Sequence, residues 1–212
     1  MQFNIQDFGA VGDGETKNTE AIQKAVDAAS EQGGGTVVVP PGTYLTGTIR
    51  LRSHVALYLD TGAVLLGSTD LEDYPHISPK IRSYTDNYAD QSILYAEEVE
   101  NVAVLGNGTI DGQGASFKSR TYKNRPYIIR MFSSKDIRVE DVTLLHSPMW
   151  VQHYLDCEDV TLRGLTVLSR VNRNNDMIDI DGCRNVRISD CYGVTGDDTI
   201  TLKSTFDRPC EN

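Results

Sequence analysis

From Asp136 onward, apolar and polar residues alternate in short runs, and the runs repeat. D-I-R-V-E-D-V-T-L from Asp136, D-V-T-L-R-G-L-T-V from Asp159 and N-V-R-I-S-D-C-Y-G from Asn185 share one order: polar, apolar, polar, apolar, two spacers, apolar. The steps between them are 23 and 26 residues. Earlier copies open near His54, with V-A-L-Y-L, and near Asn101, with V-A-V-L-G; their separation of 47 residues is expected to hold two coils. Period-two alternation predicts strands with one buried face, and a recurrence in the twenties predicts a parallel β-helix in which each coil pairs with those above and below. Strands of a sandwich would not hold this register. The predicted fold class is therefore all-β, a solenoid.

One segment breaks the pattern. Ile22, Ala25, Val26 and Ala29 recur at i, i+3, i+4 and i+7, after Asn18 or Thr19 as a cap and before Gly33-Gly34-Gly35, which predicts an amphipathic helix. An open β-helix end exposes apolar core and unpaired backbone, so this helix is expected to cover it. The chain divides into an N-terminal cap and first coil, residues 1–45, and successive coils of the same single domain, residues 46–212. Residues 112–124, polar and Gly-rich, are expected to loop out of one coil. Residues 70–91, with Tyr74, Tyr84, Asn87 and Tyr88, form a second long connection and a candidate cleft wall. Cys210-Glu211-Asn212 reproduces the start of a repeat, so the natural chain is expected to continue beyond it.

Cys157, Cys183 and Cys210 each stand two residues before a repeat opener, where the repeat at Asp136 has Ser134. Stacked coils would turn them into an interior ladder, with Cys191 in the apolar place of Val142 and Leu165. Free thiols are expected there: the spacing matches neither a disulfide framework nor paired zinc ligands.

The formal charge of −10 and pI near 4.8 exclude nucleic acid and an anionic membrane surface as partners, which need a basic footprint. An acidic polysaccharide would have to meet local cations such as Arg125, Arg130, Arg173 or Lys203. No apolar run approaches the ~20 residues of a membrane span and no basic-apolar leader opens the chain. With free thiols, this points to a cytoplasmic location, the alternative being a secreted or periplasmic protein whose leader has been removed. Oligomeric state has no signature.

Candidate chemistry lies between Asn174 and Lys203. Aligning core positions sets Ile178 against Ile200 and Ile180 against Leu202, an offset of 22 residues that also pairs Asp176 with Asp198. Alternation then points Met177, Asp179 and Asp181 outward, above Thr199, Thr201 and Lys203. Asp176, Asp197 and Asp198 would share one outer face. Crowded carboxylates hold a proton on one member near neutrality, and glycosidic hydrolysis requires an acid beside a base. D-I-D-G at 179–182 lacks the Glu that closes a calcium loop. Calcium held by Asp from adjacent coils stays open, and with it a calcium-dependent pectate lyase; a non-catalytic carbohydrate-binding β-helix is the other alternative. His153 is expected to face outward and border the cleft. Trp150, the single tryptophan, suits a packing position or a sugar platform. Gln152 is expected to point inward, which requires a buried partner.

The opening D-F-G-A-V-G-D-G, N-T-E-A-I-Q-K-A and G-G-G-T-V-V-V-P-P-G-T-Y, with S-P-M-W at 147–150, N-N-D-M-I-D at 174–179 and G-D-D at 196–198, resemble glycoside hydrolase family 28, the polygalacturonases and their relatives. The resemblance implies a right-handed parallel β-helix and hydrolysis of pectic polysaccharide or oligogalacturonide without cofactor or metal. It implies Asp197 as general acid, Asp176 and Asp198 activating water in one inverting displacement, and Asn174 orienting the group. His153, Lys203 and Trp150 are the accompanying candidates for substrate binding. Two departures stand out: Asn175 replaces the usual Thr, and Met177 replaces the usual Gly and is expected to narrow the subsite beside Asp176. The family's G-H-G and R-I-K motifs would lie beyond Asn212.

Overall fold

A computed structural model describes residues 1–84 and 90–206. Cys210, Asn212, Asn87 and Tyr88 lie outside the described residues. Strands wind in rotation through three parallel sheets. The first sheet stacks Gln2–Asn4, Gly35–Val39, Val55–Leu59, Glu100–Gly106, Lys135–Glu140, Glu158–Arg163 and Arg184–Ser189 in that order. The second runs from Asp13–Lys17 to Tyr192–Thr195. The third runs from Ile49–Arg50 through Ser92–Glu97, Tyr127–Phe132, Gln152–Leu155 and Ile178–Asp181 to Ile200–Lys203. This is the right-handed parallel β-helix expected.

The repeats align as read: Ile137 pairs with Val160 and Val160 with Val186, while Ile178 pairs with Ile200 and Ile180 with Leu202. One step differs. Ala56 pairs directly with Ala103, so the 47-residue separation is a single coil, not two. Its excess length is the connection from Ser68 to Gln91, which leaves the second sheet and returns to the third.

The polar openers have a backbone reason. His54, Asn101, Asp136, Asp159 and Asn185 have φ of 63°, 50°, 52°, 55° and 55°, the left-handed region that Asn and Asp enter at least cost among residues with a Cβ. Each enters the first sheet from the turn after the third. Between coils, Asn185 Nδ2 donates to Asp159 Oδ1 at 3.1 Å and Asn101 Nδ2 lies 3.4 Å from His54 Nδ1.

The helix spans Thr19–Glu31, and Ile22, Ala25, Val26 and Ala29 are all fully buried against the first coil. Asn18 does not cap it through its side chain. Its Oδ1 accepts from Val11 N–H at 2.7 Å and its Nδ2 donates to Val11 and Thr16 carbonyls, which fastens the preceding turn. Residues 112–124 contain two short 3-10 turns, Gly114–Phe117 and Tyr122–Asn124, and are more ordered than a plain loop.

Cys157, Cys183 and Cys191 are free thiols. Cys157 and Cys183 stack as rungs of the ladder, with Cys157 N–H donating to Cys183 Sγ at 3.4 Å. Burial pushes the Cys157 thiol well above its ordinary pKa. No helix among the described residues is long and apolar enough to cross a membrane.

Candidate active site

The turn entering strand Ile178–Asp181 and the turn entering Ile200–Lys203 lie one above the other. Met177 N–H donates to Asp198 O at 2.9 Å and Ile178 N–H to Thr199 O at 3.2 Å, so the ladder carries the offset of 22 into both turns. One carboxylate oxygen each of Asp176, Asp197 and Asp198 lies within 4.8 Å of the others. Asp197 and Asp198 are exposed; Asp176 is buried, 6% accessible. Burial, reinforced by the negative charge of Asp197, raises the Asp176 carboxyl from 3.8 to about 6. The cluster therefore holds one buried carboxyl with a raised pKa beside two solvent-facing carboxylates.

Several predicted neighbours sit differently from expectation. Met177 belongs to the interior cluster, its sulfur against Gly193, because the chain turns inward one residue ahead of the strand. It therefore does not narrow the space beside Asp176. Asp179 and Asp181 do leave the outer face of the third sheet, yet both are fully buried. His153 pairs with Asp179 across the ladder and is buried too, so it does not border an open cleft. Aromatic rings enclose it: Trp150 edge-on at 5.3 Å, Phe132 edge-on at 6.1 Å and Tyr127 stacked at 6.3 Å. Its Nε2 lies 3.8 Å from Asp181 Oδ2. Burial raises the Asp181 carboxyl, but hydrogen bonds from His153 and Thr205 outweigh it and hold the group below its ordinary value.

Part of the cover comes from the long connection. Ile77 and Ile81 pack with Tyr95, Phe132, Leu155 and Phe206, while Tyr84 N–H donates to Thr205 O at 2.7 Å. The described part of the segment thus packs over the third sheet through Ile77 and Ile81.

Trp150, 6% accessible, takes the packing role: its ring meets Tyr127 edge-on and carries the Lys203 ammonium 3.4 Å from its centroid. Lys203 Nζ is also 2.6 Å from Asp179 Oδ1. Burial raises the Asp179 carboxyl to about 7 against the opposing pull of Lys203. Gln152 has the buried partners it required, donating to Met177 O at 3.3 Å and accepting from Tyr154 Oη at 2.9 Å.

Asn174, at φ 54°, turns its Oδ1 to Arg125 Nη2 at 3.0 Å. Arg125 is fully buried and so is no free cation for an acidic ligand; Arg130 is buried as well, over the Tyr127 and Phe132 rings. Arg125 also donates to Arg173 O at 2.7 Å, Asn172 Oδ1 at 3.2 Å and Pro148 O at 3.3 Å. Asn175 completes the brace: its amide donates to Ser147 O at 2.8 Å and Met149 O at 3.0 Å, tying S-P-M-W to the turn that carries Asp176. Periodicity gave no sign of these braces, because both residues lie in turns. The only signal was that both motifs interrupt the strand pattern.

The fold is a right-handed parallel β-helix, and three carboxylates gather on two of its adjacent turns. Residues 30–207 match the model of glycosyl hydrolases family 28, and the chain belongs to that family. A Vitis vinifera protein named "Probable polygalacturonase" is 41% identical over 220 residues, covering 97% of this chain and 45% of its own length. The crystal structure of a hyperthermoactive exopolygalacturonase from Thermotoga maritima superposes with a TM-score of 0.84 at 27% identity, covering 97% of this chain and 55% of that one. A Streptococcus pneumoniae protein named plasmin and fibronectin-binding protein A is 34% identical over 153 residues, 68% of this chain and 21% of its own. The chain thus spans about half the length of the polygalacturonases it matches. None of these names supports the expected cytoplasmic location.

Proposed function

We propose that this chain carries the catalytic carboxylates of a hydrolase that cleaves α-linked galacturonan or a related pectic glycoside. The observation that carries the reading is the meeting of Asp176, Asp197 and Asp198, with oxygens within 4.8 Å, in a family 28 scaffold whose relatives are named polygalacturonases. This reading takes residues 1–45 as cap and first coil and the described residues from 46 to 206 as successive coils of the same domain. Asp197, exposed, is assigned as the acid that protonates the leaving oxygen. Asp176, at about 6, is ionised above that pH and suits a general base, which works best with a pKa near the working pH. Asp198, facing it across the coil, shares the water.

Inverting carboxylate pairs usually stand ~6.5–9.5 Å apart to admit water between them, more than the 4.8 Å spacing of closest oxygens here. In this reading Asp176 and Asp198 jointly activate the water, which attacks the anomeric carbon from the face opposite the glycosidic oxygen that Asp197 protonates, as inversion requires. Asn174, Lys203, Trp150 and His153 are assigned to holding the site, since each is engaged with protein.

The test follows reducing ends and unsaturated product together on polygalacturonate, using the full-length protein with and without chelator. Reducing ends that survive chelation, with no unsaturated product, support hydrolysis. Unsaturated product lost on chelation would assign the carboxylates to calcium and overturn the reading. The alternative of a non-catalytic carbohydrate-binding β-helix predicts pectin binding without turnover, unchanged in Asp197→Asn.

A further inference from the structure

A uronate polymer approaching a chain of net charge −10 has to meet positive charge locally, because the general field repels it. Arg125 and Arg130 are buried and do not supply that charge. Accessible cations gather instead in two segments. Residues 112–125 hold Lys118, Arg120, Lys123 and Arg125 with no Asp or Glu, and residues 170–175 hold Arg170 and Arg173, again without an acid. Lys118, Arg120, Lys123, Arg170 and Arg173 are all exposed. Elsewhere Lys17, Arg52, Arg163 and Arg184 each face a carboxylate; among the described residues, these five form no ion pair.

The two segments make one surface. Asn172 Nδ2 donates to Gly114 O at 3.0 Å, and Arg125 fastens Asn172 Oδ1 and Arg173 O from inside the loop. Tyr122, 42% exposed, stands between Arg120 and Lys123, with the Arg125 guanidinium 4.7 Å from its ring centroid. Beside them lie two adjoining clefts of about 260 and 280 Å³ that share His146 and Val171; Ser116 lines the first and Arg170 the second. Asp111, Leu145, Leu168 and Val194 are ladder neighbours, so this groove runs along the helix axis over successive coils. Its carboxylate, Asp111, is already engaged by His146 Nδ1 at 3.1 Å and by Gln113 N–H at 2.9 Å. The groove ends where the turn carrying Asp197 begins, with Gly196 N–H donating to Ser169 O at 2.9 Å.

We propose that this surface is an ancillary docking site for a uronate polysaccharide, holding a strand of the polymer beside the carboxylates without contacting the bond that is cleaved. The identity of the polymer rests on the pectic reading of the site; its negative charge does not. The cations meet carboxylates that recur along the polymer, His146 and Ser116 offer hydrogen bonds to its hydroxyls, and Tyr122 presents an aromatic ring against which a sugar packs. The loop opens strand Tyr127–Phe132, two coils before the strand that Asp176 opens and three before the one that Asp197 opens. At ~4.8 Å per coil this is about 10–14 Å along the axis, so long chains gain more from the surface than the shortest oligomers.

The direct experiment is affinity electrophoresis of the full-length protein through gels containing polygalacturonate, in an Asp197→Asn background that suppresses turnover. Lys118→Gln/Arg120→Gln/Lys123→Gln should weaken the apparent Kd by about tenfold, since each exposed charge contributes modestly, and added salt should weaken the unsubstituted loop in the same direction. Lys118→Arg/Lys123→Arg keeps the charge and should bind as before. Arg170→Gln, outside the loop, gives an independent and smaller loss of the same sign. Affinity unchanged by neutralising the loop and by Arg170→Gln overturns the proposal. Duplex DNA bound as tightly as polygalacturonate also overturns it, by making the surface a general polyanion patch. With Asp197 restored, the neutralised loop should slow cleavage of dilute polygalacturonate and leave turnover of galacturonate trimer unchanged. An equal loss on the trimer would place these cations in the catalytic cleft and overturn the ancillary role. Weakened binding in a protein that turns over no pectic substrate would retire the hydrolytic reading and leave the docking surface standing.

Discussion

Arg125→Met removes a buried guanidinium that ties the loop of one coil to the turn carrying Asp176. Four donated hydrogen bonds are lost, to Pro148 O, Asn172 Oδ1, Arg173 O and Asn174 Oδ1, together with the stacking on Tyr122 at 4.7 Å. Pro148 is buried, so its carbonyl loses a charged donor at a cost of about 1–3 kcal/mol. The other three acceptors belong to half-buried or exposed residues, which water partly satisfies, at about 0.5–1 kcal/mol each. The total is about 2.5–6 kcal/mol, which spans the range for breaking a buried charged network. For a chain of this length that lowers Tm by about 10 °C. The turn from Asn172 to Asp176 should loosen, and misplacing a catalytic group by ~1 Å costs about a hundredfold in turnover. Calorimetry and initial rates on polygalacturonate, with Arg125→Lys alongside, check both. Lysine restores charge without the planar fork and should recover stability only in part. A Tm within about 2 °C of the wild type, with unchanged turnover, would refute the bracing role.

Asp176 carries a stability signature as well. Because its folded pKa is raised from 3.8 to about 6, protonation favours the folded state; that contribution is complete below about pH 4 and is lost as pH rises through about 6. Asp176→Asn should therefore raise Tm at pH 8, by a free energy of about 2–3 kcal/mol, and leave it little changed at pH 4; an equal effect at both pH values would contradict the assignment. In the wild type, kcat/KM should fall as pH drops through about 6, since the base is then protonated; activity undiminished well below that value would place the base elsewhere. Gly106 has φ of 107°, and a Cβ there would come within 2.1 Å of Leu59 O, so Gly106→Ala should destabilise the stacking of its coil by more than about 2 kcal/mol. Chemical denaturation measures that directly.

How far the sequence revealed this molecule depended on whether a feature was repeated or assembled. Repeated features were legible. The capping helix announced itself through four apolar residues that are all buried, and the ladder register followed from matching Ile178 to Ile200. Polar openers such as Asp136 and Asp159 were visible as pattern, though their left-handed backbone was not. The three carboxylates met because the register alone brings them together. Assembled features were hidden. Alternation showed that His153, Asp179 and Asp181 leave the core, but their burial depends on aromatic rings and on a connection inserted elsewhere in the chain. That same insertion made one coil of 47 residues look like two. Arg125 and Asn175 act through turn carbonyls, which no side-chain periodicity encodes.

The measurement that bears most directly on the account is the anomeric form of the first product, followed by proton NMR in D2O as galacturonate oligomers are cleaved by the full-length protein and by Asp197→Asn. Three carboxylates acting by acid/base hydrolysis on an α-linkage predict the β-anomer first, mutarotating later, and turnover reduced at least a thousandfold in the variant. An initial α-anomer, an unsaturated sugar, or an Asp197→Asn protein as active as the wild type would contradict it.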